Sequence, residues 1–218
     1  MTRTSCASTH APTFCVLLGP DYAGKSSVMS QLSAAASSWR LISTDDAFLA
    51  PEHTLIGRLR RALVADAAPG AGYSPDFLAA MMQLAVLHVR DRILDNPDAG
   101  PVVVDSYYYK IAAKCRLAGA SAGPMFDWWR SFPQPRRVLY LDVSRESAWS
   151  RCRQGASLNL FEHYGPRPDR AAFERYQADL AKRMHDEIRH LPVTVIDEQE
   201  DPARAAAAVQ EALHDEFG

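Results

Sequence analysis

Gly19-Pro20-Asp21-Tyr22-Ala23-Gly24-Lys25-Ser26-Ser27 carries the spacing G-x-x-x-x-G-K-S, the most chemically specific stretch of the chain. Glycines at its two ends let a backbone turn tightly and aim successive N–H groups at one point, which suits an anion with several oxygens. A helix starting near Lys25 adds the positive end of its dipole. Lys25 is then placed to meet the β- and γ-phosphates of a nucleotide, and the Ser26 hydroxyl to join the shell of a Mg²⁺ ion. Gly19, Asp21, Tyr22, Ala23, Gly24, Lys25, Ser26 and Ser27 are the expected nucleotide-binding residues. A plain glycine turn is the bland alternative. It does not account for the buried run Phe14-Cys15-Val16-Leu17-Leu18 before the loop or the helix formers after it.

Binding a nucleotide is not transferring its phosphate, and other residues have the chemistry for transfer. Asp105 ends the apolar run Val102-Val103-Val104, where an acid can complete the magnesium shell with Ser26. Arg151 and Arg153 stand where a Gly- and Pro-broken stretch begins. Arginines folding over a moving phosphoryl group stabilise its charge and exclude water. Arg167 is a weaker candidate of the same kind. Asp45 and Asp46 follow a short strand; a carboxylate there can take the proton of an acceptor hydroxyl or hold its hydroxyls, and Asp46 (or Asp45 in its place) is the expected catalytic base. Asp21 projects from the phosphate loop towards the same acceptor. Tyr107-Tyr108-Tyr109 and Trp128-Trp129 are expected mostly to pack, with Tyr107 facing a ligand. His163 is expected to be solvated.

The elements that must position these groups alternate strand and helix. Strands are expected at Thr13–Leu18, Arg40–Ser43, Pro101–Asp105, Val138–Asp142 and Pro192–Ile196. Helices are expected after the phosphate loop and through Leu55, Leu59 and Leu63. Others should run over Asp76–Leu94 (with Phe77, Met81, Leu84, Leu87 and His88 inward), from Ser144 to about Cys152, over Asp169–His190, and after Asp201-Pro202. Continuous aliphatic strands separated by helices imply an α/β fold: a doubly wound, five-stranded parallel sheet with helices on both faces and its ligand at the strands' carboxyl ends. Residues 1–12 read as a flexible leader, 13–218 as a single domain, 67–75 as a linker, and about 151–168 as a short mobile lid.

Composition excludes several classes. A formal charge of −2 gives no footprint for nucleic acid or an anionic membrane. The four cysteines (Cys6, Cys15, Cys115, Cys152) form no C-x-x-C pair, which fits a reducing, cytoplasmic setting rather than a disulfide framework or zinc site. No apolar stretch approaches membrane-spanning length.

With these pieces placed, the chain resembles the thymidylate kinase family of P-loop nucleoside monophosphate kinases. Gly19–Ser27 resembles its phosphate loop, Asp21 included. Leu55-Ile56-Gly57-Arg58-Leu59-Arg60 resembles the helix after its second strand, and Val102–Tyr107 its apolar-DR[YH] strand. Leu139–Val143 followed by Arg151 and Arg153 resembles its fourth strand and arginine-bearing lid. Phe173, Tyr176 and Leu180 resemble the helix after that lid, and Val195-Ile196-Asp197 the last strand, whose following turn sits by adenine. The resemblance implies ATP and Mg²⁺ as cofactors and a homodimer through long helices such as Asp76–Leu94.

The departures fall on the acceptor half. Ser106 replaces the family's phosphate-gripping arginine, Ala85 falls near the second such arginine, and Met81 falls near the ring that stacks on thymine. Thr44-Asp45-Asp46 replaces Arg-Glu-Pro. Lys110 and Lys114 could compensate, but as point charges without a guanidinium's fork. The run Asp45-Asp46-Ala47-Phe48 instead resembles kinases that phosphorylate a hydroxyl, such as uridine kinase. A phosphate acceptor needs no base, whereas a hydroxyl gains from one. The sequence therefore favours an ATP- and Mg²⁺-dependent transferase acting on a hydroxyl of a small nucleoside- or sugar-like metabolite, with Asp21, Asp45, Asp46, Tyr107 and Lys110 towards that acceptor. A monophosphate kinase with an altered clamp is the runner-up. A nucleotide-binding switch with slow hydrolysis is the alternative of another class.

Overall fold

The computed structural model describes residues 12–35, 39–67, 72–95, 100–121 and 123–217. Residues 1–11 of the expected leader and 68–71 of the expected linker lie outside the described residues.

Five strands form one parallel sheet: β1 (Phe14–Leu18), β2 (Arg40–Ile42), β3 (Val102–Asp105), β4 (Arg137–Leu141) and β5 (Val193–Ile196), in the order β2-β3-β1-β4-β5. The doubly wound α/β architecture expected from the strand pattern is the one observed. β1 lies at the centre, with Leu17 level with Asp105 on one side and Leu139 on the other. Its alternation explains why the whole strand is apolar. Phe14, Val16 and Leu18 enter the core shared with helices α3 (Pro75–Leu94), α4 (Tyr107–Leu117) and α7 (Arg170–Ile188). Cys15 and Leu17 enter the opposite core, beneath α1 (Lys25–Ala34) and α8 (Pro202–Phe217). A strand covered on both faces cannot show polar alternation. The chain runs from β1 to one edge and later to the other, so a crevice opens at the carboxyl end of β1.

Helix starts follow the capping signals. Ser74 accepts the Phe77 N–H at 3.1 Å for α3, and Ser144 the Ser147 N–H at 3.2 Å for α6 (Arg145–Arg151). Asp169 and Asp201 accept at 2.8 Å for α7 and α8, each such cap stabilising by about 1 kcal/mol. Helices α2 (Thr54–Asp66) and α5 (Pro124–Arg130) complete the set among the described residues.

Three expectations are corrected. Phe77 and Leu84, expected inward, are 45% and 41% exposed; α3 instead buries Leu78, Ala79, Val86, Val89 and Ile93. Apolar residues lie all round this helix, so periodicity alone could not select the stripe that meets α4. Tyr107 is not turned to a ligand. It is 2% exposed and stands edge-on to Phe14 at 5.7 Å. Tyr108 and Tyr109 are also buried. Successive helical positions point about 100° apart, so three in a row are buried only where a helix is enclosed on most sides. His163, expected in solvent, is buried too.

Candidate active site around the Gly19–Ser27 loop

The loop leaves β1 and enters α1 at Lys25. Gly19 passes so close to β4 that a Cβ there would lie 2.8 Å from the Leu141 carbonyl oxygen. Gly24, just before α1, has φ +94°, a left-handed conformation natural to glycine. Lys25 arches back over the loop, its Nζ donating to the carbonyls of Gly19 (3.2 Å) and Pro20 (3.1 Å). Burial, followed by the nearby charge of Lys110, pulls the Lys25 ammonium below the usual lysine range.

Facing Lys25, the ends of β2 and β3 supply a chain of oxygens. Asp105 accepts the hydroxyls of Ser106 (2.8 Å) and Ser43 (3.0 Å). Ser43 Oγ accepts the Asp45 N–H at 3.1 Å, and Asp45 Oδ2 accepts the Ser26 hydroxyl at 2.7 Å. Ser26 and Asp105, the two expected metal residues, are thus joined through Asp45 and Ser43. Every donor in this chain is a hard oxygen, the set that suits Mg²⁺, which takes one or two carboxylates and completes its shell from phosphates and water. Arg60 of α2 pairs with Asp45 from the other side. Burial would raise the Asp45 carboxyl, but Arg60 and the Ser26 hydroxyl outweigh it and hold the pKa below the usual range.

Asp46 is placed differently. It opens a 3-10 turn, pairs with Arg61, and lies against Gly57, which has no side chain to exclude it. Its side chain is 61% exposed. Of the two acids the structure brings only Asp45 to the loop.

Asp21 forms the third wall and is buried. Its Oδ1 lies 2.8 Å from Lys110 Nζ and 3.0 Å from Lys114 Nζ, amines on one face of α4. Gln177 of α7 clamps it twice, accepting the Asp21 N–H at 3.0 Å and donating to Oδ2 at 3.2 Å. Burial pushes the Asp21 carboxyl up; Lys110 and Lys114 outweigh this and hold it well below the carboxylate range. Lys110 Nζ also donates to the Gly19 carbonyl at 3.3 Å, the oxygen Lys25 uses. Lys110 faces Asp21 and keeps its proton, whereas Lys25 faces carbonyls and is the amine pulled down.

The stretch after α6 folds across this loop. Tyr22, with φ +61°, donates its hydroxyl to the Ser157 carbonyl (2.7 Å) and to Glu162 (3.0 Å). Phe161 is buried against Ala67 and Leu78. Arg151, at the end of α6, donates to the Tyr22 carbonyl (3.3 Å) and to Glu198 (3.4 Å). Arg153 is exposed, with φ +54°. On the far side of the loop a cavity of about 270 Å³ lies between Gly24, Val143, Arg151, Asp197 and Pro202. It adjoins the turn after β5 that the family resemblance assigns to adenine. The sequence gives no site role to Arg60, Glu162 and Gln177, which reach the site from elements remote in the chain, or to Ser43, which acts by a local bond to Asp45. The Lys110/Lys114 spacing of one helical turn was the available signal for a paired amine site.

A parallel sheet in this order, with a Gly-rich loop between its central strand and the first helix, defines the fold of P-loop nucleoside and nucleotide kinases. Solved structures of that class align over nearly the whole chain. A deoxyadenosine kinase from M. mycoides, solved with dCMP and a flexible dCDP, is similar at 13% identity and TM-score 0.60, over 93% of this chain and 100% of that one. The thymidylate kinase of Candida albicans is similar at 17% identity and TM-score 0.61, over 94% of this chain and 92% of that one. No protein-family model matches the chain, and no curated protein matches it.

Proposed function

We propose that the protein transfers the γ-phosphoryl group of ATP, with Mg²⁺, to a hydroxyl of a small nucleoside- or sugar-like molecule. The observation that carries this is Asp45 at 2.7 Å from the Ser26 hydroxyl: an ionised carboxylate on the acceptor side of the phosphate loop, coupled through Ser43 to Asp105. Loop amides and Lys25 hold the phosphates, and the base and ribose occupy the cavity beside Gly24 and Asp197. Ser26 and Asp105 would hold Mg²⁺, which would supply charge neutralisation on the phosphates. As the acceptor oxygen bonds to phosphorus, the bond from phosphorus to the bridging oxygen breaks, ADP leaves with that electron pair, and Asp45 takes the hydroxyl proton. A loose transition state asks little of the base, so a carboxylate with a depressed pKa serves. Arg151 covers the transferring group from α6.

A monophosphate acceptor needs surplus positive charge on the acceptor wall. Lys110 and Lys114 supply two charges, but Asp21 at 2.8 and 3.0 Å and Glu162 at 4.0 Å already balance them. The wall is close to neutral, which supports an uncharged acceptor. The test is coupled ADP release with Mg·ATP, comparing nucleosides and aminosugars with nucleoside monophosphates. Turnover of unphosphorylated acceptors, lost in Asp45→Asn, is the expected result. Turnover of monophosphates alone, or an Asp45→Asn variant at wild-type rate, would overturn the reading.

A further inference from the structure

Two lysine amines meet on one backbone carbonyl of the phosphate loop. Lys25 and Lys110 both donate to the Gly19 oxygen, at 3.2 and 3.3 Å, and both are largely shielded from solvent. Charge on both amines at once is disfavoured, and an anion between them would relieve that. Asp21 Oδ1 pairs with Lys110 at 2.8 Å and has a second counter-ion, Lys114, at 3.0 Å; the charges of Asp21 and Asp105 also act on Lys25. Two amines on one Asp21 oxygen mean that either can hold the carboxylate when the other leaves. The amine that can be spared, Lys110, already touches the phosphate loop through the Gly19 carbonyl.

We propose that Lys110 is a second phosphoryl-binding lysine, which turns from Asp21 to the γ-phosphoryl group of the bound nucleotide while Lys114 remains on Asp21. This rests on the phosphotransferase reading and adds to it a catalytic residue on the acceptor side of the moving group. The division of labour accounts for both lysines. When Lys110 moves, Asp21 keeps a partner and is never left as an isolated buried charge, the costly outcome. Lys114 is a positioning residue, acting only through Asp21. In the transfer step the γ-phosphoryl passes from the ADP oxygen to the acceptor hydroxyl oxygen, the hydroxyl proton passes to Asp45, and Lys110 loses no proton. It stays in contact with the equatorial oxygens throughout.

The experiment is nucleotide binding without acceptor, by calorimetry, with Mg·ATP and Mg·ADP on wild type, Lys110→Met, Lys110→Arg and Lys114→Met. Lys110→Met should weaken ATP roughly tenfold or more, the scale of one charge-assisted hydrogen bond, while ADP changes little. Lys110→Arg should recover part of the ATP preference. Lys114→Met should also lower the ATP-to-ADP ratio, because Lys110 can then leave Asp21 only by stranding a buried charge. Equal weakening of both nucleotides by Lys110→Met, or weakening of neither, would overturn the assignment while leaving the phosphotransferase reading intact. Failure of wild type to bind either nucleotide would overturn that reading, and the assignment with it. If Lys110→Met does not fold, the double variant Asp21→Asn/Lys110→Met removes both charges together and gives the same readout.

Discussion

Replacing Asp21 by Asn keeps the side chain's shape and an oxygen for Gln177 to reach, but removes the charge that two buried amines share. Lys110 and Lys114 would keep Glu162, 4.0 Å from Lys114, and Asp105, whose charge acts on Lys110. Removing one partner of a buried ionic cluster costs about 3–5 kcal/mol. The lower end applies here, because Glu162 remains and a lysine can shed its proton. A loss of about 3 kcal/mol lowers Tm by about 6–12 °C in a chain of this size. The pH dependence has a definite sign. The folded-state pKa of Asp21 is depressed, so its stabilisation is complete above the unfolded value of about 3.9 and fades as pH falls towards the folded value. Thermal melts of wild type and Asp21→Asn from pH 7 to pH 3 should therefore show a gap that is full near neutrality and begins to narrow below about pH 4. Melting within about 2 °C of wild type at pH 7, or a gap that widens in acid, would refute the claim that Asp21 is the counter-ion of both lysines.

The other predictions concern the phosphate loop. Gly24→Ala forces a side chain into φ +94° at the start of α1, so nucleotide binding should fall below detection in calorimetry while the fold, read by circular dichroism, persists. Lys25 begins below the usual lysine range, and a bound phosphate restores its preference for the charged form. ATP binding should therefore take up protons and weaken as pH rises, seen as binding enthalpies that differ between buffers of different ionisation enthalpy. Asp46→Asn should leave kcat within about threefold of wild type, against a loss of about 10²-fold or more for Asp45→Asn.

The parts of this molecule that were legible in sequence are those whose causes are local. The phosphate loop is contiguous, and its glycines, lysine and serine state their requirements within nine residues. Strands covered on both faces announce themselves as aliphatic runs, and Ser144, Asp169 and Asp201 mark helix starts by a bond made three residues away. The choice between Asp45 and Asp46 was not local. It is made by Arg60 and Arg61 on another helix and by the space over Gly57, so adjacent acids meet different fates. The inward stripe of α3 was equally hidden, because only its packing against α4 selects it. The sequence places Asp21 in the phosphate loop and towards the acceptor, and nothing near it reveals that Lys110, Lys114 and Gln177 converge there.

The burial of Tyr107, Tyr108 and Tyr109 bears on timing as well as stability. These residues wedge the first turn of α4 into the core, and Lys110 is the next residue on that turn. Its backbone is immobilised when the chain folds. Ordering a long side chain costs up to about 2 kcal/mol of rotamer freedom. For Lys110 most of that loss belongs to folding, where the tyrosine core offsets it, and little is left to subtract from ligand binding. Exchange of its partner is a rotation about side-chain bonds alone, requiring none of the slower backbone motion that moves loops and lids.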